Sequence, residues 1–402
     1  MNHLSAKSHQ AVKAAELRWL VKLYAVSFAV LGAVAPYFAL ELQARGASGV
    51  TLALSLGVLP LVRLVAGPLW GMLADWLQGS KRVLVVGATI TFLATAILAY
   101  EDLPPRITPL VMALWALGRA PMGPIVDAMA LSALGDDQGA YGKLRRWGSV
   151  GFLIAAFSSG ALRDWFGLSP LVFGWVLSSL VLWIVLDTPK RKTPQRVALL
   201  PALVAMGKDR VVRCLLIGSA FHFAGHIGST SFLAVHMEGL GLSSQWVGVA
   251  LAVGVGVEVV VLSYSKQIMA RIPARWLFLI AVCMAIPRWV LTAIVVNPVG
   301  LILLQSMHGI TFGVFWLAGV HIIANRAPRG VANSAQGLLA ASVGGVGAMM
   351  GMVGGSLLLE VAPTRDLFVW GAVSALVATF FAGWVFRFLG QRANQPMDGL
   401  AE

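Results

Sequence analysis

The chain has 402 residues, of which 58% are hydrophobic and only 12% charged, and its formal net charge is +13. Its mean hydropathy of +0.82 excludes the ordinary soluble classes and indicates an integral membrane protein. The excess of Lys and Arg could also indicate nucleic-acid binding, so the positions of these residues must decide between the two interpretations.

Twelve apolar segments are long enough to cross a bilayer, since a helix needs about 20 residues to span roughly 30 Å of hydrocarbon. They define predicted spans one to twelve, at residues 19–43, 50–74, 82–100, 107–133, 147–167, 168–187, 211–238, 244–270, 275–296, 299–325, 331–360 and 365–390. Only residues 166–170 separate spans five and six. The sequence therefore predicts an all-α integral membrane protein.

The longest polar interruption follows span six and contains the run TPKRKTP at 188–194. It predicts an N-terminal six-helix bundle (1–187), a solvated cytoplasmic linker (188–210) and a C-terminal six-helix bundle (211–402). Two matched halves are the architecture of many secondary transporters.

Functional-looking residues at equivalent depths support such a repeat. Arg63 in span two corresponds to Glu258 in span eight, and Asp127 in span four corresponds to His308 in span ten. Identity between the halves is otherwise low, so this support is weak.

Lys and Arg are distributed unevenly between the two sides of the predicted membrane. Most lie at the N-terminus, after the even-numbered spans and at the C-terminus, whereas the opposite loops hold four, namely Arg45, Arg106, Arg163 and Arg365. This is the positive-inside bias, and it predicts a multi-pass inner (plasma) membrane protein with both termini in the cytoplasm. The basicity therefore reflects topology, and no nucleic-acid partner is expected.

Several ionisable residues lie within the predicted spans, where a charge at the bilayer centre costs on the order of 3 kcal/mol. These residues are Arg63, Arg119, Asp127, Glu258 and Arg288. Such groups usually face the bundle interior or a water-filled path and have a partner, which is the pattern of a solute carrier. Arginines outnumber acids among them, which favours an anionic solute.

Glu258 and Arg288 lie on successive spans at comparable depth, so a contact between them is sterically plausible. One interpretation is a permanent ion pair that holds spans eight and nine together. The other is coupling to protons or substrate, because a neighbouring guanidinium lowers the pKa of a carboxylate that burial raises.

Asp127 lies two helical turns after Arg119, with Pro121 and Pro124 between them, in a stretch suited to lining a cavity. It is either a binding residue or the structural partner of Arg119 or Arg145. Arg145 is either a cytoplasmic positive charge or a cavity residue whose guanidinium would bind a carboxylate in bidentate fashion.

The histidines of spans seven and ten have several interpretations. His222 and His226 have a metal-ligand spacing, but no Cys, Asp or Glu lies nearby on that face, so no metal is expected. His226 and His308 are candidate cavity residues, and His321 is expected at an interface toward the cytoplasm.

Glycines recur at four-residue spacing in span eleven, at Gly347, Gly351 and Gly355. Small residues on one helix face allow close helix packing in membranes. The spacing favours packing alone, and a moving seam between the two halves is the other interpretation.

Between spans two and three, the run GMLAD at 71–75, followed by Gly79, Lys81 and Arg82, resembles the loop signature of the major facilitator superfamily. The resemblance implies a cytoplasmic gate formed by Asp75, Lys81 and Arg82, which would cap helix ends and latch that side. The spacing after Asp75 is longer than the usual pattern.

Further motifs resemble the phenylpropionate permease branch of that superfamily, which is similar to the lactose permease and nucleoside:proton symporter groups. They are PYF at 36–38, YGKLRRWGSVGF at 141–152, GVEV at 256–259, HGITFG at 308–313 and AQG at 335–337. The resemblance covers nearly the whole chain and implies a twelve-helix carrier built from two halves.

By resemblance to lactose permease, Asp127 and Arg145 would hold the substrate and Phe152 would stack on it. Glu258, Arg288 and His308 correspond to the polar residues of its spans eight, nine and ten. Two departures are clear, since Thr311 replaces the proton-carrying carboxylate one turn after the histidine and span eleven has no lysine. Proton coupling would therefore fall to Glu258 or Asp127, with Arg288.

The full set of candidate substrate-binding residues is larger, since aromatic and histidine side chains of the cavity-lining spans complete the pocket. The set is Tyr37, Arg119, Asp127, Arg145, Phe152, His226, His308 and Trp316.

The expected function is proton-coupled symport of a small organic solute by alternating access. An aromatic or other monocarboxylate is favoured, and a nucleoside or oligosaccharide comes next. A drug or metabolite exporter working by proton antiport is the alternative, and a membrane-embedded lipid enzyme or a sensor without transport are rivals from other classes. We expect no enzyme activity, no cofactor and a functional monomer. We also expect no use of ATP, since the sequence has no phosphate-binding Gly-rich loop with Lys and Ser/Thr.

Overall fold

The computed structural model describes residues 2–46, 49–77, 79–187, 199–242 and 244–393. Every regular element in these ranges is helical. The first half of the predicted linker, 188–198, lies outside the described residues, and the division of the chain into domains stays a prediction. The second half forms a helix of its own, Leu199–Lys208, before span seven begins.

The helices follow the predicted spans. Their bounds are α1 Asn2–Val34, α2 Phe38–Ala44, α3 Gly49–Trp76, α4 Ser80–Ala99, α5 Thr108–Arg119, α6 Met122–Leu134, α7 Tyr141–Phe166, α8 Pro170–Leu186, α9 Leu199–Lys208 and α10 Arg210–Ser231. They continue with α11 Leu233–Gly239, α12 Ser244–Ser263, α13 Ser265–Arg271, α14 Ala274–Cys283, α15 Ala285–Ile294, α16 Pro298–Gln305, α17 Phe315–Arg326, α18 Ala332–Ala341, α19 Ala348–Val361 and α20 Arg365–Ala393.

The described residues contain ten helical stretches that are long and apolar enough to cross a membrane. One of them, Pro105–Arg163, holds both span four and span five, and the shorter apolar helix Pro170–Leu186 is span six. With that stretch counted as two spans and the short helix added, the twelve predicted spans are accounted for. The prediction of an all-α membrane fold is confirmed.

The narrow boundary between spans five and six lies where the sequence predicts it. Gly167 ends α7 with a φ of 65°, a left-handed conformation that glycine adopts at little cost. Ser169 then caps α8 by accepting a hydrogen bond from the Leu171 N–H, and Pro170 occupies the first turn. Two helices can therefore cross the membrane in succession with almost no loop.

Several spans are interrupted within the membrane. Span four ends one helix at Arg119 and begins the next at Met122, because Pro121 has no N–H for the helix ladder. Spans ten and eleven each contain a wide π-helical turn, Gly309–Val314 and Ser342–Gly347. Turns of this kind commonly accompany functional sites.

The two halves meet along span two and span eleven. A Cβ added at Gly71 would lie 2.6 Å from the Asn333 carbonyl oxygen, and one at Gly337 would lie 2.7 Å from the Gly67 oxygen. Further along, a Cβ at Gly345 would lie 2.6 Å from the Leu64 Cα. These backbones touch only because the side chains are absent.

The three regularly spaced glycines of span eleven lie elsewhere, within the C-terminal half. A Cβ at Gly347 or Gly351 would lie 2.6 Å or 2.4 Å from a carbonyl oxygen of span seven, and one at Gly355 would meet the Phe232 ring. They therefore pack span eleven against span seven, and their interpretation as a moving seam between the halves is wrong.

Candidate functional site

A cavity of about 270 Å³ lies between the two halves. One wall comes from spans one and five, and the other comes from spans seven to ten. The polar lining residues are Arg145, Ser149, His226, Thr230, Glu258, Arg288, Gln305 and His308, and the aromatic ones are Phe28, Phe152 and Phe312. The cavity thus joins ionisable groups of both halves to an aromatic surface.

Glu258 is the carboxylate on the cavity wall, and it is only 4% exposed. One of its oxygens accepts a hydrogen bond of 2.7 Å from the Ser149 hydroxyl in span five. The other oxygen lies 3.3 Å from His308 Nε2 in span ten. The site therefore holds a carboxylate–imidazole pair that can share a proton, and a hydroxyl of the opposite half contacts this pair.

Arg288 does not pair with Glu258, so the predicted contact between them is wrong. Its terminal nitrogens donate instead to Thr311 Oγ1 at 2.6 Å and to Gln305 Oε1 at 2.9 Å. Its guanidinium carbon also lies 4.2 Å from the centre of the Trp289 ring. The Thr311 hydroxyl thus accepts a hydrogen bond from Arg288 at the position where the resembled family has a carboxylate. Glu258 pairs with His308 instead.

Arg145 lies on the cavity wall and is 5% exposed, so it is not a solvated cytoplasmic charge. Its guanidinium carbon lies 4.1 Å from the Phe28 ring centre and 5.9 Å from that of Trp316. Its Nη1 has no hydrogen-bond partner among the described residues. A buried guanidinium with a free donor, held between aromatic faces, is suited to receive an anionic group.

The neighbouring Arg146 has a different role. Its Nη1 donates to the Ser263 hydroxyl at 2.8 Å, which joins spans five and eight outside the cavity.

Aromatic rings form a continuous stack along span ten. The His308 and Phe312 rings lie 4.9 Å apart with an interplanar angle of 9°, and Phe312 and Trp316 lie 6.2 Å apart at 14°. His226 of span seven packs 5.2 Å from His308. The stack leads from the proton-sharing pair at His308 to Trp316, which lies beside Arg145.

Asp127 lies behind the cavity wall and is 2% exposed. Oδ1 accepts hydrogen bonds from the hydroxyls of Tyr24, at 2.6 Å, and Tyr141, at 2.8 Å. The Tyr141 oxygen in turn accepts from the Trp316 indole at 3.2 Å. Asp127 also interacts electrostatically with Arg145, so it can position that arginine without touching a solute in the cavity.

Besides Asp127, three more of the predicted binding residues lie off the cavity wall. Arg119 donates to the Ser27 hydroxyl at 3.0 Å, and Tyr37 donates to the Ala156 carbonyl at 2.9 Å. Trp316 contacts the cavity through the Phe312 stack and through Arg145. Of the predicted set, Arg145, Phe152, His226 and His308 line the cavity directly. Their part in binding stays a prediction.

Several residues of the site were not predicted. Ser149 and Tyr141 lie within the motif at 141–152, but nothing in a single sequence distinguishes a functional hydroxyl from a tolerated one. Phe28 and Gln305 have no charge that would mark them, although they hold Arg145 and Arg288 in place. In the part of the chain that the structure describes, no group of three His, Cys, Asp or Glu side chains could hold a metal ion.

Of the three predicted gate residues, Asp75 has hydrogen bonds that join the two halves. The carboxylate of Asp75 accepts hydrogen bonds from the backbone N–H and side chains of Asn333 and Ser334, at the first turn of span eleven. A carboxylate at a helix N-terminus is favoured by the unpaired N–H groups there. Lys81 donates instead to the Leu186 carbonyl of its own half.

Arg82 lies beside Gly79, with its side-chain carbons 3.8 Å from a Cβ built there. Arg82 belongs to the first turn of α4 and is exposed, and its part in the gate stays a prediction.

Comparisons with known proteins identify the family and the fold. The sequence profile described as the MFS_1 like family matches residues 17–369. The probable 3-phenylpropionic acid transporter of Escherichia coli is 28% identical over 352 residues, which cover 85% of this chain and 90% of that protein. The maltose permease of Geobacillus stearothermophilus is 24% identical over 347 residues, covering 84% and 86%. The E. coli fucose:proton symporter FucP superposes with a TM-score of 0.73 at 13% identity, covering 92% and 98%.

Proposed function

We propose that this chain, which belongs to the MFS_1 like family and is a major facilitator transporter, carries a small organic monocarboxylate together with protons. An aromatic monocarboxylate is the solute we favour, and alternating access of the two halves around the cavity is the mechanism. The observation that carries the proposal is the guanidinium of Arg145, which has a free donor and lies against the Phe28 ring.

The charge and size of the cavity support this choice of solute. Two arginines, Arg145 and Arg288, share the wall with a single carboxylate, Glu258, which is already bonded to His308 and Ser149. An anion in the cavity would be attracted by these two guanidinium groups, of which Arg145 also interacts with the Asp127 carboxylate behind the wall. The cavity of about 270 Å³ lies near the lower end of the range of roughly 300–1,000 Å³ for ligand pockets, which favours a single ring over an oligosaccharide.

The arrangement of the proton-sharing pair supports coupling to protons. The Glu258–His308 pair can take up one proton and release it again, and Ser149 belongs to the half that moves relative to this pair. Separation of the halves would remove the Ser149 hydrogen bond from the carboxylate and change its proton affinity. We infer that Glu258 loads and releases the coupling proton and that Arg288, held by Thr311 and Gln305, acts mainly through its charge.

The contacts between the halves support a conformation closed on one side. Asp75 binds the start of span eleven, and a Cβ at Gly142 would lie 2.4 Å from the Ser265 side chain. Both contacts lie on the side that the positive-inside bias assigns to the cytoplasm. We therefore propose that this inner-membrane carrier is closed on the cytoplasmic side, with its cavity directed outward.

A proton-antiport exporter would use the same cavity. The direction of gradient-driven flux distinguishes the exporter from a symporter.

Transport by purified protein tests the proposal. We would measure uptake of labelled 3-phenylpropionate into proteoliposomes, with and without an acid-outside pH gradient. Accumulation that depends on the gradient is the expected result. Absence of both binding and uptake would discard this solute, and gradient-driven extrusion would establish the exporter instead.

A further inference from the structure

A second groove lies at the membrane-facing surface, between the start of span seven and the end of span twelve. It has a volume of about 500 Å³ and shares no lining residue with the central cavity. Its rim is formed by Arg210, Arg213, Arg387 and Gln391, and its floor by Cys214, Phe380, Phe381, Trp384 and Phe388. The groove thus combines concentrated positive charge with an aromatic floor.

The three rim arginines are exposed, and among the described residues none forms an ion pair with a carboxylate. The nearest acid along the chain, Asp209, is already engaged, since it caps α10 and binds the Arg326 guanidinium. Two of the guanidinium groups rest on rings of the floor, Arg210 at 6.0 Å from Phe388 and Arg387 at 5.3 Å from Trp384. The rim therefore presents fixed positive charge without a counter-ion.

The depth of the groove fits the boundary between headgroups and acyl chains. Arg387 lies in the last turns of its span, whereas Phe380 lies seven residues earlier, about 10 Å deeper at 1.5 Å per residue. The Phe380 ring is 62% exposed, so its face is directed outward at the depth of acyl chains. Trp384 lies between them, at the level where tryptophan is enriched in membrane proteins.

We propose that this groove binds an anionic phospholipid, with the phosphate on Arg210, Arg213 and Arg387 and an acyl chain along Phe380 and Trp384. Basic pockets between spans on the cytoplasmic side are known to accept such headgroups. The aromatic floor would add no binding free energy for a free phosphate, and the three arginines would add little for a phospholipid without net charge. This site is independent of the proposed transport function.

Lipid titration of the purified protein tests the proposal. The full-length chain in a neutral detergent is titrated with phosphatidylglycerol, or with phosphatidylcholine of the same acyl chains, and bound lipid is counted by native mass spectrometry. The triple variant Arg210→Gln, Arg213→Gln and Arg387→Gln should bind phosphatidylglycerol on the order of a hundredfold more weakly, because each basic residue contributes about fivefold near an anionic headgroup. Phosphatidylcholine binding should not change.

A matched control variant distinguishes lipid binding at the groove from a general effect of the protein's positive charge. Lys143→Gln, Arg271→Gln and Arg329→Gln removes the same charge from exposed residues outside the groove and should keep wild-type affinity. Equal loss in both triple variants would overturn the proposal, as would wild-type binding of phosphatidylcholine as tight as that of phosphatidylglycerol. Displacement of the lipid by inorganic phosphate at equal concentration would reassign the groove to a soluble anion and overturn it as well.

Discussion

The Ser149 hydroxyl donates a 2.7 Å hydrogen bond to a carboxylate oxygen of Glu258, so a helix of the N-terminal half contacts the proton-sharing pair of the C-terminal half. The other oxygen of Glu258 faces His308. A change in the distance between the halves therefore directly alters the hydrogen bonding of the Glu258 carboxylate.

Replacing Glu258 by glutamine should abolish accumulation driven by a pH gradient while exchange of labelled for unlabelled solute persists. The amide keeps the shape of the side chain but cannot gain or lose the proton. Counterflow and gradient-driven uptake in proteoliposomes distinguish the two activities. Glu360→Gln, at an exposed site near the end of span eleven, is the matched control. Equal loss of both activities in Glu258→Gln would mean that the carboxylate is only structural.

Replacing Arg145 by lysine should raise the KM for a carboxylate solute about 10- to 100-fold. A charge-assisted hydrogen bond contributes about 1.5–3 kcal/mol, and an ammonium cannot reproduce the bidentate geometry or the stacking on Phe28. Initial uptake rates over a range of concentrations give the KM. Arg146→Lys changes the adjacent residue, which donates to Ser263 away from the cavity, and should leave the KM unchanged. Equal effects of the two substitutions would contradict the assignment.

Replacing Tyr141 by phenylalanine should lower the free energy of unfolding by about 1–3 kcal/mol. It removes one donor to the buried Asp127 carboxylate and the acceptor of the Trp316 indole. Because Asp127 lies behind Arg145, the KM should rise as well, though less than in Arg145→Lys. Thermal unfolding in detergent measures the first effect and uptake the second. Tyr264→Phe, at a residue that is 58% exposed, should change neither, and a similar loss there would refute the role given to this network.

Replacing Gly71 by alanine should destabilise the conformation closed at Asp75 by about 1–3 kcal/mol, the usual cost of overpacking. Its Cβ would lie 2.6 Å from the Asn333 carbonyl oxygen, a backbone atom that cannot move aside alone. The transition midpoint in thermal unfolding should fall. Gly57→Ala in the same helix has open space around its Cβ and should have little effect or raise the midpoint slightly. A lower midpoint for Gly57→Ala than for Gly71→Ala would contradict the seam.

The fold could be predicted because bilayer thickness fixes the length of each span, and Gly167 and Ser169 mark even the narrow boundary between spans five and six. The helix Leu199–Lys208 was not predicted, since it lies within a stretch assigned to the linker for its charge. The interruption of span four at Pro121 was not predicted either, because it leaves the hydropathy of the span unchanged.

The charged residues of the site could be identified because charges within a span are rare and need partners. Their pairing could not be predicted, since Glu258 and Arg288 lie at similar depth yet bind His308 and Thr311. Depth follows from the position in sequence, but pairing depends on the rotation of each helix about its axis. The hydroxyls of Tyr24 and Ser149 carried no signal at all.

The wide turn Gly309–Val314 is one reason why the pairing could not be predicted, and it also affects how related sequences are interpreted. Residues four apart drift about 40° per step on a regular α-helix, so Trp316 would lie about 80° away from His308. The wide turn reduces this drift and aligns three rings on one line. A regular α-helix with the same number of residues would rotate Trp316 about 80° away from the line of His308, and so away from Arg145, while leaving His308 beside Glu258. A relative that keeps this spacing but has a regular helix in place of the wide turn would therefore retain the proton pair but lose the aromatic wall beside the arginine, and its solute should differ.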